Sequence, residues 1–226
     1  GRLLANVARF YRNALQRNKQ GQALLDRLGL SDTSVTDRFE VGYADGTLHS
    51  TLPQKGGVRD VLRDIGIFDE RGKETLAGSI TVPVKDANHD AVGFIAVGKT
   101  GEEKRFPASC PPYGINRDVL RESAVIFVGG ALETLRFTQA GYLNALPVNR
   151  ELTADERAVI ERHRPKKAYL AADLPEVLRL LQKLEVPCFR LSVRFPATPD
   201  QVAQAIVLAE PIGASLGPDA TVRITD

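Results

Sequence analysis

The stretch that decides the fold runs from Ala124 to Leu135 and has the sequence AVIFVGGALETL. Its first five residues, 124–128, are all apolar and end at a pair of glycines. A short apolar run bounded by glycine favours a buried strand, whereas the following residues have the spacing of a helix. The stretch therefore predicts a strand, a tight turn at Gly129 and Gly130, and a helix from Ala131 to Gln139.

The same alternation continues to the end of the chain. Further strand patterns lie at 142–148, 168–172 and 188–193, and helical patterns of about ten residues lie at 153–163, 175–184 and 199–208. Strands that alternate with helices predict an α/β region with a mostly parallel sheet. Because ligands of such sheets bind at the carboxyl ends of the strands, we examine four positions there: Gly129, 148–150, Asp173 and 195–200.

The chain is organised differently before residue 120. Helical patterns occupy Val7 to Leu28, and two apolar runs, 79–84 and 91–97, flank a polar loop that is typical of a β-hairpin. The proline-rich segment 106–114 favours irregular chain. We therefore predict an α+β subdomain over residues 1–120, followed by the α/β subdomain over residues 121–226.

Composition indicates a soluble globular protein. Of the 226 residues, 43% are hydrophobic and 26% charged, and no apolar run is long enough to cross a membrane. Cys110 and Cys188 lie far apart and neither belongs to a C-x-x-C pair, which favours a reduced, cytoplasmic protein without a zinc site in this stretch. The chain begins with Gly1 and contains no Met, so we expect it to be a processed or excised piece of a longer protein.

The net charge of +2 conceals a basic N-terminus. No acid precedes Asp26, whereas two aromatic residues, Phe10 and Tyr11, lie among the cations Arg2, Arg9, Arg12, Arg17 and Lys19. Cations bind phosphates and aromatic rings stack on bases, so the segment suits a single-stranded nucleic acid. A solvated amphipathic helix with its rings packed inward explains the same pattern.

Seven stretches, taken in order, resemble the RNA-polymerase core of bacterial replicative (DnaG-type) primases. The similarity runs over nearly the whole chain in the family's order, and the series of stretches is more specific than any one of them. The stretches are YRNALQRN at 11–18, RFEVGYA at 38–44, ITVPVKDA at 80–87, VGF at 92–94, KRFPAS at 104–109, VGGALE at 128–133 and QAGYLNA at 139–145.

This resemblance implies a Toprim subdomain after residue 120 that binds divalent metals and nucleoside triphosphates, but the acids of that site are depleted. Gly129 stands where the family has its catalytic Glu, and Glu133 stands where it has a later Asp. Asp173 is the one acid at the family's Asp-Gly-Asp segment, and Asp200 remains from a Pro-Asp segment. Glu133, Asp173 and Asp200 are therefore the candidates for a residual Mg²⁺ or Mn²⁺ site, although each also suits a structural role at a helix N-terminus.

With the resemblance, the basic residues become candidates for contact with nucleic acid. We predict that one groove is lined by Arg9, Arg12, Arg17, Lys85, Lys99, Lys104 and Arg105. The partners implied are single-stranded DNA and replication proteins such as a helicase, and no membrane.

Two functions follow from these expectations. The first is a primase-like, nucleic-acid-binding protein of a mobile element or phage-derived replication module, without standard primase catalysis because the metal ligands are missing and no residue is assigned a catalytic role. The alternative is an active, divergent Toprim enzyme, a primase or a nuclease, with a rebuilt metal site.

Overall fold

The computed structural model describes residues 2–52 and 56–213, which fold around two β-sheets. The first sheet has four strands in the order β1-β2-β3-β4, all antiparallel. The second has five strands in the order β6-β5-β7-β8-β9, and all of its pairings are parallel except that of β8 with β9. The predicted fold class, an α+β region followed by an α/β region with a mostly parallel sheet, is confirmed.

The antiparallel sheet and five helices make up the N-terminal region. Their bounds are α1 Arg2–Arg17, α2 Lys19–Arg27, α3 Thr33–Arg38, β1 Gly42–Tyr43, α4 Leu48–Thr51, α5 Gly57–Asp64, β2 Ile80–Lys85, β3 Ala91–Val97 and β4 Glu103–Phe106. The helical segment Val7 to Leu28 is divided at Asn18, whose side-chain oxygen accepts the backbone N–H groups of Gln20 and Gly21 and so begins α2.

Both faces of the antiparallel sheet are buried. Val82 pairs with Ile95, and both lie in a core shared with Leu24 of α2. Phe94 points to the opposite face, where it packs against Tyr11 of α1. Since helices cover both faces, β2 and β3 are apolar along almost their whole length.

Strand β4 departs from the prediction, which placed irregular chain from residue 106 onward and no strand before it. The strand is four residues long with the sequence EKRF, and it pairs with β3 at the edge of the sheet. A short, charged edge strand has no apolar alternation by which to recognise it.

The parallel sheet and its helices follow two short 3₁₀ turns, Pro112–Ile115 and Arg117–Arg121. The bounds are β5 Ala124–Val128, α6 Ala131–Gln139, β6 Ala145–Pro147, α7 Ala154–His163, β7 Lys167–Leu170, α8 Pro175–Lys183, β8 Cys188–Arg190, α9 Pro199–Val207 and β9 Glu210–Pro211. Thr153 and Glu156 form a capping box that begins α7, with the S/T-x-x-E pattern that marks such a helix start in a sequence. Asp173 does not cap α8, since the N-cap is Leu174 and makes no side-chain cap hydrogen bond.

Helix α6 joins the two regions. Leu132 and Leu135 lie in the core that contains β2 and β3, whereas Phe137 packs with residues of the parallel sheet. The Arg136 guanidinium donates through Nε (3.0 Å) and Nη2 (2.8 Å) to the carbonyl of Leu28, just after α2. Side chains on several faces of α6 therefore hold the antiparallel and parallel sheets against each other.

Within the described ranges, no helix is long and apolar enough to cross a membrane. The final part of the predicted second subdomain, 214–226, lies outside the described residues.

Candidate functional site

A cleft of about 550 Å³ lies where the antiparallel sheet meets the carboxyl end of β5. Its floor includes Gly129 and Gly130, the turn that the sequence places between β5 and α6. Its ionisable side chains come from both regions of the molecule. They are Arg27, Lys99, Glu103, Glu133 and Arg136.

Glu103 reaches the start of α6 from the neighbouring strand β4. Its Oε2 accepts the backbone N–H of Ala131 (3.0 Å) and its Oε1 accepts that of Leu132 (2.8 Å). These N–H groups have no partner within the helix, and the helix dipole favours a negative charge beside them. Burial nevertheless raises the pKa of Glu103, an effect that the two backbone hydrogen bonds oppose and that nearby Glu133 reinforces.

Glu133 lies in the first turn of α6, as predicted, and its carboxylate bends back to the turn. Its Oε2 accepts the backbone N–H of Gly129 at 2.8 Å. A Cβ placed on Gly129 would lie 3.4 Å from that oxygen and 3.6 Å from Cβ of Ala172, so the turn has room for a methyl group at this position.

Asp173 follows β7 and forms a salt bridge with an arginine side chain. Arg150, which follows β6, donates through Nη2 to Asp173 Oδ2 at 3.0 Å, and both side chains are largely exposed. The two residues before Asp173 are Ala171 and Ala172. The carboxyl ends of β6 and β7 thus carry an Arg–Asp ion pair.

The donor set does not fit the metal centre that the resemblance implies. Within 2–52 and 56–213, no three His, Cys, Asp or Glu side chains are grouped as metal ligands would be. Glu133 faces the cleft, Asp173 lines a separate pocket of about 310 Å³, and Asp200 is an exposed residue in the first turn of α9. The structure therefore does not bring the three predicted acids together, and Mg²⁺ usually needs one or two suitably placed carboxylates besides substrate oxygens.

The cations of the cleft are more available than its acids. Arg27 and Lys99 are exposed, and no carboxylate in the described part of the chain forms an ion pair with either. Both also line an adjoining pocket of about 360 Å³, together with Gln20, Leu24 and Tyr43. The cleft and this pocket form a continuous basic surface along α2 and the β3–β4 turn.

The structure disperses the basic residues that the sequence places in one groove. Lys99 lies in the cleft, whereas Arg12 pairs with Asp37 at 2.8 Å and Lys85 pairs with Glu40 at 2.5 Å. Of the α1 cations that remain, Arg9 donates to the Asn6 side chain, and Arg17 is exposed at the end of the helix.

Lys104 and Arg105 lie on opposite faces of β4. Lys104 pairs with Ala96, whose side chain belongs to the α1 side of the sheet, and Arg105 pairs with Ile95 on the other side. Successive residues of a strand point to opposite faces, so a single groove does not hold both. The predicted set therefore contributes one residue, Lys99, to the cleft.

Sequence reasoning missed Glu103, Arg27 and Arg136. Glu103 lies on the strand that was not predicted, and its partners lie much later in the chain, so no local pattern links them. Arg27 ends α2 and Arg136 lies in α6, where each is typical of a solvated helix cation. A signal was present only for Glu103, since it directly precedes the Lys104-Arg105 segment of the resemblance.

The fold defines the class of protein to which this architecture is similar. The fold of this chain, an antiparallel sheet with flanking helices followed by a mostly parallel sheet, is similar to that of solved primase catalytic cores. No model of a known protein family matches the sequence.

Two solved primase structures and one primase sequence are similar to this chain. The structure of the DnaG catalytic core superposes with a TM-score of 0.69 at 17% identity, covering 93% of this chain and 80% of that one. A DnaG primase catalytic domain bound to single-stranded DNA superposes with a TM-score of 0.66 at 18% identity, covering 93% and 78%. In sequence, the DNA primase of Haemophilus influenzae is 27% identical over 111 residues, which is 46% of this chain. That match spans 18% of the length of the Haemophilus protein.

Proposed function

We propose that this protein is a primase-related, nucleic-acid-binding protein that holds single-stranded DNA in the cleft and does not make primers by metal-dependent phosphoryl transfer. The observation that carries the proposal is the charge arrangement of the cleft. Arg27 and Lys99 face it and form no ion pair within residues 2–52 and 56–213, whereas its carboxylates, Glu103 and Glu133, are bound to backbone N–H groups.

The cations supply the binding. A nucleic-acid backbone gains affinity when cations replace its condensed counterions, and this gain does not depend on base sequence. Support for DNA as the ligand comes from the fold, because a solved structure with this architecture is a primase domain bound to single-stranded DNA.

The loss of catalysis follows from the acids. Metal ions accelerate phosphoryl transfer by neutralising charge on the attacking and leaving oxygens, an effect of several kcal/mol. Gly129 and Ala172 offer no oxygen side chain, and Asp173 lines a separate pocket and not the cleft. Since each 1.36 kcal/mol is about tenfold in rate, a site without these ligands is expected to fall by several decades.

The alternative function, an active divergent Toprim enzyme, has one observation in its favour. Two carboxylates, those of Glu103 and Glu133, contact the β5–α6 turn from either side and so lie near the position that Gly129 leaves without an acid. A rebuilt site would have to recruit them in place of Asp173 and Asp200. Loss of metal-dependent turnover in Glu133→Ala would identify this case.

The binding proposal is tested by fluorescence anisotropy with a labelled single-stranded oligonucleotide. The parent protein is compared with the double variant Arg27→Ala/Lys99→Ala and with Lys183→Ala, an exposed cation of α8 that serves as the control. Affinity is measured at several salt concentrations between about 50 and 200 mM, where phosphate contacts give a steep dependence.

We expect the double variant to bind roughly tenfold more weakly and to lower the slope of log affinity against log salt by about 1.4, or about 0.7 per lost contact. The control should match the parent. Equal binding by all three proteins, or no measurable binding by the parent at low salt, would rule out the proposed interface.

A cytoplasmic location, a helicase partner and an origin in a mobile element belong to the same proposal. Each of them stays a prediction from the sequence.

A further inference from the structure

We propose that Glu103 is an intramolecular occupant of the cleft, whose carboxylate takes the place of a phosphate group at the N-terminus of α6 and keeps anionic ligands away from it. This inference rests on the proposed function only in taking the cleft as the surface that a nucleic acid or a nucleotide approaches. It assigns to Glu103 an autoinhibitory contact between the two regions of the molecule.

The first support is that Glu103 uses the groups by which a helix N-terminus binds an anion. A phosphate at such a site is held by exposed backbone N–H groups and by the helix dipole. In this protein the N–H groups of Ala131 and Leu132 each donate to one oxygen of Glu103, and the N–H of Gly129 donates to Glu133. An incoming phosphate would have to displace the Glu103 carboxylate to reach the same donors.

The second support is a steric match between Glu103 and Gly130. A Cβ on Gly130 would lie 2.6 Å from Oε1 and 2.7 Å from Oε2 of Glu103. Such distances are far below van der Waals contact, so any other residue at this position would push the carboxylate out of its place. The glycine of the turn therefore makes the room that Glu103 fills.

The third support is the charge around the contact. Arg27, Lys99 and Arg136 line the same cleft and attract anions to it. The charged groups that act directly on Glu103 are Glu133 of α6 and Arg105 of its own strand. Without the carboxylate of Glu103, two free N–H groups would face a cleft in which cations outnumber acids.

Inorganic tripolyphosphate is a suitable probe, because it carries the charge of a nucleotide without a base or sugar. Its binding is measured by titration calorimetry at constant ionic strength to the full chain, to Glu103→Ala and to Glu103→Gln. The matched control is Glu102→Gln, which removes the same charge from the adjacent residue, whose carboxylate bonds Thr100 instead of α6.

We expect Glu103→Ala to bind tripolyphosphate about tenfold more tightly than the parent, in line with the larger effects of charge at helix ends. Glu103→Gln should lie between the two because its amide still fills the space, and Glu102→Gln should match the parent. Equal affinity of the parent and a folded Glu103→Ala would overturn the proposal, and so would equal gains in the Glu102 and Glu103 variants.

If Glu103→Ala does not fold, the thermal unfolding midpoint of Glu103→Gln, measured with and without tripolyphosphate, tests whether Glu103 blocks anion binding. Tripolyphosphate should then raise the midpoint of Glu103→Gln more than that of the parent, and an equal rise would count against the occupant role. Oligonucleotide binding by the parent is a separate measurement. If the parent does not bind the oligonucleotide, the proposed function is wrong. The comparison of tripolyphosphate binding by the parent and the Glu103 variants still tests the role of Glu103.

Discussion

The two regions that face each other across the cleft treat their charges in opposite ways. On the N-terminal side, Arg27 and Lys99 project into the cleft without an ion pair among the described residues. On the parallel-sheet side, Glu133 accepts the backbone N–H of Gly129, and Asp173, which lines a separate pocket, pairs with Arg150. The cations of the cleft are thus available to a ligand, whereas the acids are dispersed and hydrogen-bonded within the protein. This difference supports the proposal that the cleft binds a phosphate backbone without metal-dependent chemistry.

The largest effect is expected in helix α6, whose side chains lie in the cores of both regions. Phe137 of α6 is buried, and its ring packs edge-on against Phe195 at a centroid distance of 5.0 Å. Phe137→Ala should lower the free energy of unfolding by about 3–5 kcal/mol, through lost burial and the cavity left behind. Urea unfolding of this variant and of Val207→Ala, an exposed position, measures the effect.

The same experiment tests the two proposed subdomains, 1–120 and 121–226. Since α6 contributes to the cores on both sides, we propose that they unfold together. Phe137→Ala should therefore shift one transition, followed both by the far-ultraviolet signal and by tyrosine fluorescence. Two separate transitions, of which only one moves, would show that the regions are independent.

The two glycines of the β5–α6 turn should differ sharply. Gly130→Ala should lower the free energy of unfolding by about 0.5–1.5 kcal/mol, because the methyl group displaces a carboxylate that accepts two part-buried N–H groups and leaves them to the solvent of the cleft. Gly129→Ala has space for its methyl group and should be nearly neutral. Comparable urea midpoints for the two variants would contradict the tight fit between Gly130 and Glu103.

A third difference concerns the dependence of stability on pH. The N-terminal region contains a buried acid, Glu74, that lies away from the cleft. Glu74 accepts the backbone N–H of Leu48 with Oε2 at 3.2 Å, and burial raises its pKa above the ordinary value of 4.5. The folded state therefore favours protonated Glu74. The stability gained in this way is complete below about pH 4.5 and is lost as the pH rises through the raised pKa.

Glu74→Gln removes this titration, so its stability should fall less than that of the parent over the same pH range. Urea unfolding at a series of pH values measures the difference, with the exposed Glu70→Gln as the control. Identical pH profiles for the parent and Glu74→Gln would show that the carboxyl is not forced to ionise in the core.

The smallest effects are expected from the two exposed ion pairs, one in each region. Arg12–Asp37 has an N–O distance of 2.8 Å and Arg150–Asp173 one of 3.0 Å. Exposed pairs contribute little, so double-mutant cycles should give about 0.5 kcal/mol or less for each. A markedly larger coupling for Arg150–Asp173 would mean that the pair organises the edge of the parallel sheet and does more than neutralise Asp173.

The sequence predicted the fold better than it predicted the site, and particular residues explain why. The strand Ala124–Val128 and the helix Ala131–Gln139 begin and end as predicted, because an apolar run, a glycine pair and a helical period all point to the same structure. The Thr153 capping box is local in the same way. Glu103, in contrast, meets α6 only through the packing of one sheet against the other, which no local pattern records.

The residues of the predicted basic groove are dispersed for a similar reason. Lys104 and Arg105 are adjacent in sequence, but the register of β4 against β3 sends them to opposite faces. Arg12 and Lys85 find carboxylates in distant segments, Asp37 and Glu40. Charge counted along the chain does not distinguish a cation that is paired in the fold from one that remains available.

The most direct test of the central claim measures primer synthesis and DNA binding in one preparation. Labelled ribonucleotides and a single-stranded DNA template are supplied with Mg²⁺ or Mn²⁺, alongside Glu133→Ala. The account predicts salt-sensitive binding of the template and no product above background with either protein. Primers made by the parent and lost in Glu133→Ala would contradict it and would establish a rebuilt metal site at the β5–α6 turn.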